Sequence, residues 1–335
     1  MKRLFLSLVA SIIATMSFAQ SSLLATLNHE GTVTTYYGAQ AFSTALNAAA
    51  HGDVITLSSG NFIATNITKA VTIRGAGMMM DADKGISPTV ISGDFNINIP
   101  TDTQEKLTME GIYHNHMISV RGTLQNAMFL KSRFKSIIDG SNDAVLRNVN
   151  FIHCMVQDEL RGTNNSSISC INSFIHYPWN SSSSSASAFE FQNCVITSGF
   201  LSNIRNSSLI NCVLYGTSNY ENNDRLNSSN VAYNCISLHC KGNIFQNIPN
   251  STNKNNVTDV FVSYTGNVDD SELFELTETA KTNYKGTDGT EVGIHGGSFP
   301  FDATPSNPQI TKCNVASKST ADGKLSVEIE VKVAE

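Results

Sequence analysis

The sequence predicts an all-β fold in which the chain winds into a solenoid of stacked coils. Residues able to bend the chain recur at steps of 18 to 23 positions, in a column that comprises Gly75, Gly93, Gly111, Ser132, His153, Asn172, Asn193, Asn211 and Asn234. An apolar residue stands two positions before each member, and an apolar or aromatic residue stands two positions after all but the first. Gly and Asn enter the left-handed backbone conformation most easily. A strand, a bend and another strand, repeated in this way, are typical of a solenoid.

A helix is predicted ahead of the first coil, over residues 36–50. Apolar side chains at Phe42, Ala45 and Leu46 fall on one helical face, and Gly52 offers a stop. Such a helix would cover the open end of the first coil, where unpaired strand edges otherwise invite aggregation.

The solenoid domain is predicted over residues 20–299. Polar segments at 163–167, 181–185 and 220–230 separate the repeats, and such flanking loops are where solenoids usually bind other molecules. The repeat weakens after Asn234, and five glycines between 286 and 297 predict a tight closing turn. Cysteines that directly follow column residues would stack about 4.8 Å apart, which suits reduced apolar fillers better than disulfides. These cysteines are Cys154, Cys194, Cys212 and Cys235.

Residues 300–335 form a separate tail by their pattern. Three prolines between 300 and 308 mark its start, and apolar and polar residues alternate over 325–333, as in a half-buried strand. Residues 310–315 are the expected partner of that strand in a β-hairpin. One interpretation is a hairpin packed on the last coil. The other is a module recognised by export or surface-attachment machinery.

Among solenoids the right-handed parallel β-helix fits best, because leucine-rich repeats place two residues, not one, between the last apolar position and Asn. The opening contains FSTAL (42–46), HGDVITL (51–57) and GNF (60–62), and the ending contains DGTEVGI (288–294) followed by GG. In these segments the chain resembles the pectate-lyase-like superfamily, which has the pectin lyase fold, and in particular its exported bacterial members. The resemblance covers roughly residues 36–297 and implies the fold but not one activity, since this fold hosts lyases, hydrolases and adhesins. It also implies an asparagine ladder with amides hydrogen-bonded from coil to coil, formed by Asn172, Asn193, Asn211 and Asn234.

Residues 1–19 predict a signal peptide for export. Lys2 and Arg3 form a positive start, residues 4–13 are mostly apolar, and residues 17–19 offer a cleavage site. No later stretch is apolar enough to span a membrane. We therefore expect a bacterial monomer in the periplasm, on the cell surface or in the medium. The formal charge of −6 argues against nucleic acid as a partner, because phosphate binding needs a concentrated basic face.

One candidate chemistry is β-elimination from a glycan that contains uronic acid. Lyases of the resembling superfamily need a cation at the substrate carboxylate and a basic side chain that removes the adjacent proton. The candidates for these catalytic roles are Lys131, Arg133 and Arg147. Calcium would be needed only for this reaction, and no metal site or cofactor is predicted otherwise. The nearest carboxylates in sequence are Asp139, Asp143, Asp158 and Glu159.

Two other interpretations of these charges remain. The charges can form a solvated face with a Glu110–Lys131 pair between adjacent coils. A glycoside hydrolase of this fold would carry paired carboxylates in several motifs. Here Asp269-Asp270 lies in the weakly repetitive region, and His295 lacks the preceding Gly of a Gly-His-Gly motif. Hydrolysis is therefore less well supported than elimination.

Carbohydrate binding needs aromatic side chains on an exposed flank beside polar loops. Trp179, the only tryptophan, stands two positions before the serine run, and a Trp in such a place usually packs or binds. The full set of candidates is Trp179, Tyr177, Tyr215, Tyr220 and Tyr233. The sequence thus favours a non-catalytic protein, of the surface or adhesin type, that binds a polysaccharide or a cell-surface glycan. A polysaccharide lyase is the alternative, and an anchoring subunit whose tail strand pairs with a partner is a third interpretation.

Overall fold

The computed structural model describes residues 23–80, 87–139, 144–162, 165–180, 187–217, 224–248, 252–264, 266, 272–315, 318–320 and 322–332. These residues form a parallel β-solenoid of about eight turns, with a short helix at its start and an antiparallel β-hairpin at its end. The predicted all-β, parallel β-helix fold with these two appendages is therefore confirmed. The predicted signal peptide, residues 1–19, lies outside the described residues. None of the described helices has the length and apolar character needed to cross a bilayer.

The N-terminal end differs in detail from the prediction. Strands β1 (Leu24–His29) and β2 (Thr32–Tyr37) form an antiparallel hairpin, and β1 pairs antiparallel with β3 (Val54–Leu57). Helix α1 (Ala41–Ala48) is shorter than predicted because the residues before Gly38 belong to β2. The last carbonyls of α1 and its C-cap are bound by Lys69, whose Nζ lies 2.6–3.0 Å from three of them.

Two long sheets run the length of the solenoid. The first continues from β3 through β5 (Thr72–Arg74), β8 (Thr108–Glu110), β10 (Thr123–Gln125), β11 (Met128–Leu130), β13 (Val145–Ile152), β15 (Ser167–Ile171), β18 (Ala188–Gln192), β20 (Ser208–Ile210) and β22 (Val231–Tyr233). The second contains β4 (Gly60–Ile63), β6 (Thr89–Ser92), β7 (Phe95–Ile97), β9 (Ile112–Val120), β12 (Arg133–Asp139), β14 (Met155–Arg161), β16 (Phe174–His176), β17 (Pro178–Trp179), β19 (Val195–Ser198), β21 (Val213–Gly216) and β23 (Ile236–Leu238). Each coil contributes to both sheets, so equivalent residues of successive coils lie over one another.

The interior is filled by the apolar residues that precede each bend. Phe151 pairs in register with Cys170, which pairs with Phe191, and all three are at most 1% exposed. Phe129 stacks on Phe151 with ring centroids 4.8 Å apart. This stacking of like positions is the physical basis of the periodicity seen in the sequence.

The row of bends differs from the predicted column at two positions. Lys131, with φ 44°, occupies the left-handed position, and Ser132 follows it and points into the coil. Gly93 lies outside the row because it follows β6, a strand of the second sheet. In the first sheet Arg74 pairs directly with Glu110, so Gly111 is the next bend after Gly75. The bend row is therefore Gly75, Gly111, Lys131, His153, Asn172, Asn193, Asn211 and Asn234.

A C-terminal segment, residues 285–307, runs back along the whole bend row; we call it the strap. The Nδ2 of Asn172 donates to the carbonyls of Ile294 (2.8 Å) and Gly296 (2.7 Å). The side-chain amides of Asn172, Asn211 and Asn234 thus bond to the strap, and not from coil to coil as the sequence predicted. Further strap contacts are Asn234–Lys285, Asn211–Thr287, His153–Phe299, Lys131–Asp302, Glu110–Ser306 and Gly75–Asn307.

A second apolar core lies between the solenoid and this C-terminal region. Residues two positions after the bends point out of the coils and are nonetheless buried, for example Phe174 (0% exposed). Phe174 stacks on Phe274, with ring centroids 4.3 Å apart. The other outward members are Met155, Val195, Val213 and Ile236, and Val260, Leu276 and Ile294 cover them from the C-terminal side. Helix α2 (Glu278–Asn283) belongs to the same covering region.

Six cysteines of the solenoid are free and buried, as expected of apolar fillers: Cys154, Cys170, Cys194, Cys212, Cys235 and Cys240. Burial raises the pKa of Cys154 to about 12. Thiols of this kind are chemically inert at neutral pH. The Sγ atoms instead donate to nearby carbonyls, such as that of Phe129 from Cys154.

The C-terminal hairpin pairs β24 (Gln309–Val315) with β25 (Val327–Lys332), as the sequence predicted. Its predicted packing on the last coil is wrong, because the strap carries it to the opposite end of the solenoid. Asn307 bonds to Gly75 of an early coil, only two residues before β24 begins. On β25, Val327 and Ile329 are more than half exposed.

Mild acid is expected to weaken the fold through His114. Burial lowers the pKa of this fully buried histidine from 6.5 to about 4, and its Nε2 bonds to the Gly93 carbonyl at 2.9 Å. As the pH falls, the histidine of the unfolded chain is therefore protonated before that of the folded chain. The contribution of neutral His114 to the free energy of unfolding is fully present above pH 6.5 and is lost as the pH drops toward 4. The loss is about 3 kcal/mol. Urea unfolding of the wild type and His114→Phe across this range measures it; an equal pH dependence in both would contradict the assignment.

Candidate functional site

Two of the three candidate lyase residues lie at the bend row, close to the strap. The Nζ of Lys131 is 2.7 Å from the carboxylate of Asp302 and 2.7 Å from the carbonyl of Thr304. Glu110 bonds to Ser306, so the Glu110–Lys131 pair between coils does not form. Arg133 is 4% exposed, and its guanidinium lies 4.9 Å from the ring centroid of Tyr113.

The third candidate, Arg147, lies elsewhere. It is exposed on β13 of the first sheet, where it pairs with Gln125 and Ser167, six positions before the bend at His153. The structure thus places Lys131 under the strap and separates Arg147 from it along the coil.

The candidate aromatic residues also divide between different places. Trp179 and Tyr177 lie together at the edge of the second sheet, both half-buried. Tyr215 is 7% exposed, and Tyr233 is 46% exposed on the first sheet. Tyr220 lies outside the described residues.

A polar cleft of about 260 Å³ opens on the outer face of the second sheet. Its side chains come from the β6–β7 turn and from β9, β12 and β14, so it spans three coil steps of about 4.8 Å each. The register of β12 shifts against both neighbours between Phe134 and Ser136. Such a bulge changes the direction in which neighbouring side chains point, and here it lies among the residues that line the cleft. The lining residues are Asp94, His116, Met117, Lys135, Ser136, Asp158 and Glu159.

Hydrogen bonds hold the carboxylates of the cleft in place. The Ser136 hydroxyl donates to Asp158 (3.0 Å), and the Met117 backbone N–H donates to Asp94 (2.9 Å). Each carboxylate keeps further acceptor sites, because an ionised carboxylate has about four lone-pair positions.

An ion pair links the cleft to Trp179. The Nη2 of Arg161 is 2.8 Å from Glu159 Oε1, and its guanidinium carbon lies 4.0 Å from the Trp179 ring centroid. Tyr177 meets Phe200 edge to face at 5.9 Å, and Phe200 is 43% exposed. An aromatic patch therefore borders the carboxylates at one end.

The charges of the cleft are mixed, with acidic groups in excess. Three carboxylates face Lys135 and His116, and Arg161 stands just beyond. On the next coil His176 is 2.6 Å from the Thr197 hydroxyl. Burial lowers the pKa of His176, so it is neutral at pH 7. Within the described part of the chain, no three His, Cys, Asp or Glu side chains converge in a way that would hold a metal ion.

Sequence reasoning missed Asp94, His116 and Ser136. The signal of His116 and Ser136 is weak, because a register shift moves them away from a constant offset to the bend row. Asp94 lies in the turn between β6 and β7, outside the strand pattern. The sequence singles out Asp158 and Glu159 only as carboxylates near the lyase candidates. Comparison with protein-family models, with curated proteins and with solved structures gave no match to this chain.

Proposed function

We propose that the protein is an exported, non-catalytic glycan-binding protein of the surface or adhesin type, and that a neutral glycan chain lies in the cleft of the second sheet. The observation that carries the proposal is the continuous surface formed by Asp158, Glu159, Arg161 and the Trp179 ring. Carboxylates accept hydrogen bonds from adjacent sugar hydroxyls, and an indole presents a rigid apolar face to a sugar ring. A few polar groups that fix orientation beside an aromatic wall are typical of ligand sites.

The repeat of the solenoid suits an extended polymer. Equivalent side chains recur along its axis about every 4.8 Å, which is close to the length of one pyranose unit in an extended chain. A glycan along the cleft would therefore meet one set of outward groups per sugar.

Charge selects the class of glycan. Asp94, Asp158 and Glu159 would face the carboxylates of a uronic-acid polymer and repel them. A neutral polymer carries no such penalty. The predicted signal peptide and the resemblance to exported members of the pectate-lyase-like superfamily support the extracellular setting of this proposal.

The polysaccharide lyase remains the alternative function, and its weakness is the environment of its candidate residues. A base must reach the substrate proton directly or through one water. Lys131 is already engaged by Asp302 and Thr304, and Arg133 is buried. Release of an unsaturated, ultraviolet-absorbing sugar from a uronate polymer would favour this alternative.

Trp179→Ala is expected to weaken binding of neutral glycans at least tenfold. The substitution removes the ring on which Arg161 stacks and on which a sugar would lie. Tyr233→Ala is the matched control, since Tyr233 is an exposed aromatic residue on the other sheet. A glycan array identifies ligands, and titration calorimetry with cellohexaose, xylohexaose and mannohexaose measures affinity. Equal loss in both variants, or binding confined to polygalacturonate, would contradict the proposal.

A further inference from the structure

We infer that a pocket at the C-terminal end of the second sheet is a second binding site for a neutral sugar, which we call the end pocket. The inference rests on the proposed function for the class of ligand, but on separate residues for the site. The pocket has a volume of about 600 Å³ and lies between residues 238–241 and 256–261, with Tyr264 at its base. This volume falls within the range of small-molecule sites.

The end pocket has a buried apolar floor and an exposed polar rim. Leu238, Val260 and Tyr264 are at most 7% exposed. His239 and Asp259 are exposed above them on opposite walls. An apolar floor with hydrogen-bonding groups around it matches a pyranose ring, whose faces are apolar and whose edge carries hydroxyls.

Aromatic contacts give one wall a defined shape. The His239 imidazole stacks on Tyr215 with ring centroids 4.6 Å apart and an angle of 28° between the planes. Tyr264 meets Tyr215 at 5.2 Å and Phe261 at 5.3 Å, both edge to face. Tyr215, a residue for which the sequence predicts sugar binding, thus supports the ring of His239 from behind.

The backbone of both walls is held in place. His239 (φ 55°) and Asp259 (φ 54°) adopt the left-handed conformation, in which His and Asp, like Asn, are enriched among residues other than Gly. Thr277 fixes the second wall, since its Oγ1 donates to the Asp259 carbonyl (2.7 Å) and its N–H to the Val260 carbonyl (2.9 Å).

Charge again favours a neutral ligand. Lys241 and Asp259 contribute one charge of each sign to the rim. The pocket therefore offers both a donor and an acceptor for hydroxyl groups without a net attraction for an ion.

Both sites involve strands of the second sheet. From β17, which carries Trp179, to β23, where the end pocket begins, the second sheet advances by three coils, about 14 Å along the axis. A polymer that fills one site would hold its neighbouring sugars near the other, which raises the effective concentration there.

Titration calorimetry of the full chain with cellobiose, xylobiose and mannobiose, which are too short to span both sites, tests this inference. The variants are Trp179→Ala for the cleft and the double variant His239→Asn, Asp259→Asn for the end pocket. Asn tolerates the left-handed conformation, so these substitutions remove the imidazole and the carboxylate with little backbone cost. Thermal unfolding of each variant checks that the fold persists.

The expected result is two sites per wild-type chain, one site in either variant and at least a tenfold weaker affinity at the altered site. A single site in the wild type that Trp179→Ala abolishes would overturn the end pocket and leave the proposed function intact. A single site that only the double variant abolishes would support the end pocket and remove glycan binding from the cleft. Absence of binding by all three oligosaccharides would overturn both.

Discussion

Gly297→Ala is expected to lower the free energy of unfolding by about 3 kcal/mol, because it lifts the strap from the bend row. A Cβ at this position would lie 2.3 Å from Nδ2 of the buried Asn193. The φ of +83° at this position also strains the backbone of residues other than Gly or Asn, including Ala. Urea unfolding, followed by circular dichroism, measures the change.

Gly289→Ala is the matched control for this variant. Gly289 has nearly the same φ, +82°, yet nothing lies within 4 Å of an added Cβ. Its expected cost is the backbone strain alone, about 1 kcal/mol. Equal costs at the two glycines would show that the contact between the strap and Asn193 does not contribute to stability.

Phe274→Ala is expected to have the largest effect of any single truncation in the C-terminal region, about 4 kcal/mol. Phe274 is 1% exposed, stacks on Phe174 and lies 5.0 Å from Tyr264, so its loss leaves a cavity in the second core. We expect a lower urea midpoint and stronger binding of a hydrophobic dye, as the outward row of the coils becomes accessible.

Phe299→Ala is the control for that truncation. Phe299 lies on the strap but is 78% exposed, and its bond to His153 uses the backbone carbonyl. Its removal should change stability by less than about 0.5 kcal/mol. A comparable loss in both variants would mean that the second core is not what holds the C-terminal region.

The periodicity of the sequence was sufficient to predict the solenoid, because apolar residues at −2 must point inward in every coil. The periodicity was not sufficient to decide whether Lys131 or Ser132 occupies the bend, because both are polar and either residue type is tolerated at a bend. The strap was missed for a different reason. The bond from Asn172 to the Gly296 carbonyl of the strap joins residues 124 positions apart, and no local sequence pattern predicts such a pairing.

The candidate site was partly predictable. Trp179 and Tyr177 were identified because aromatic residues beside polar loops are uncommon unless they pack against the protein or bind a ligand. Asp94 and His116 were not, since they come from different coils, Asp94 from a turn and His116 from a strand whose register with β12 is shifted. The burial of Tyr215 and the capture of Lys131 by Asp302 depend on the C-terminal region folding back, which sequence periodicity does not describe.

The route of residues 285–307 imposes an order on the maturation of the molecule. Asn307 reaches Gly75 across 232 residues of chain, so its docking must wait until the intervening windings have assembled. Until then Phe174 and its neighbours remain open to water and to other chains. Only a chain that has folded through this segment can cover the second core, so docking of the strap marks the completion of folding.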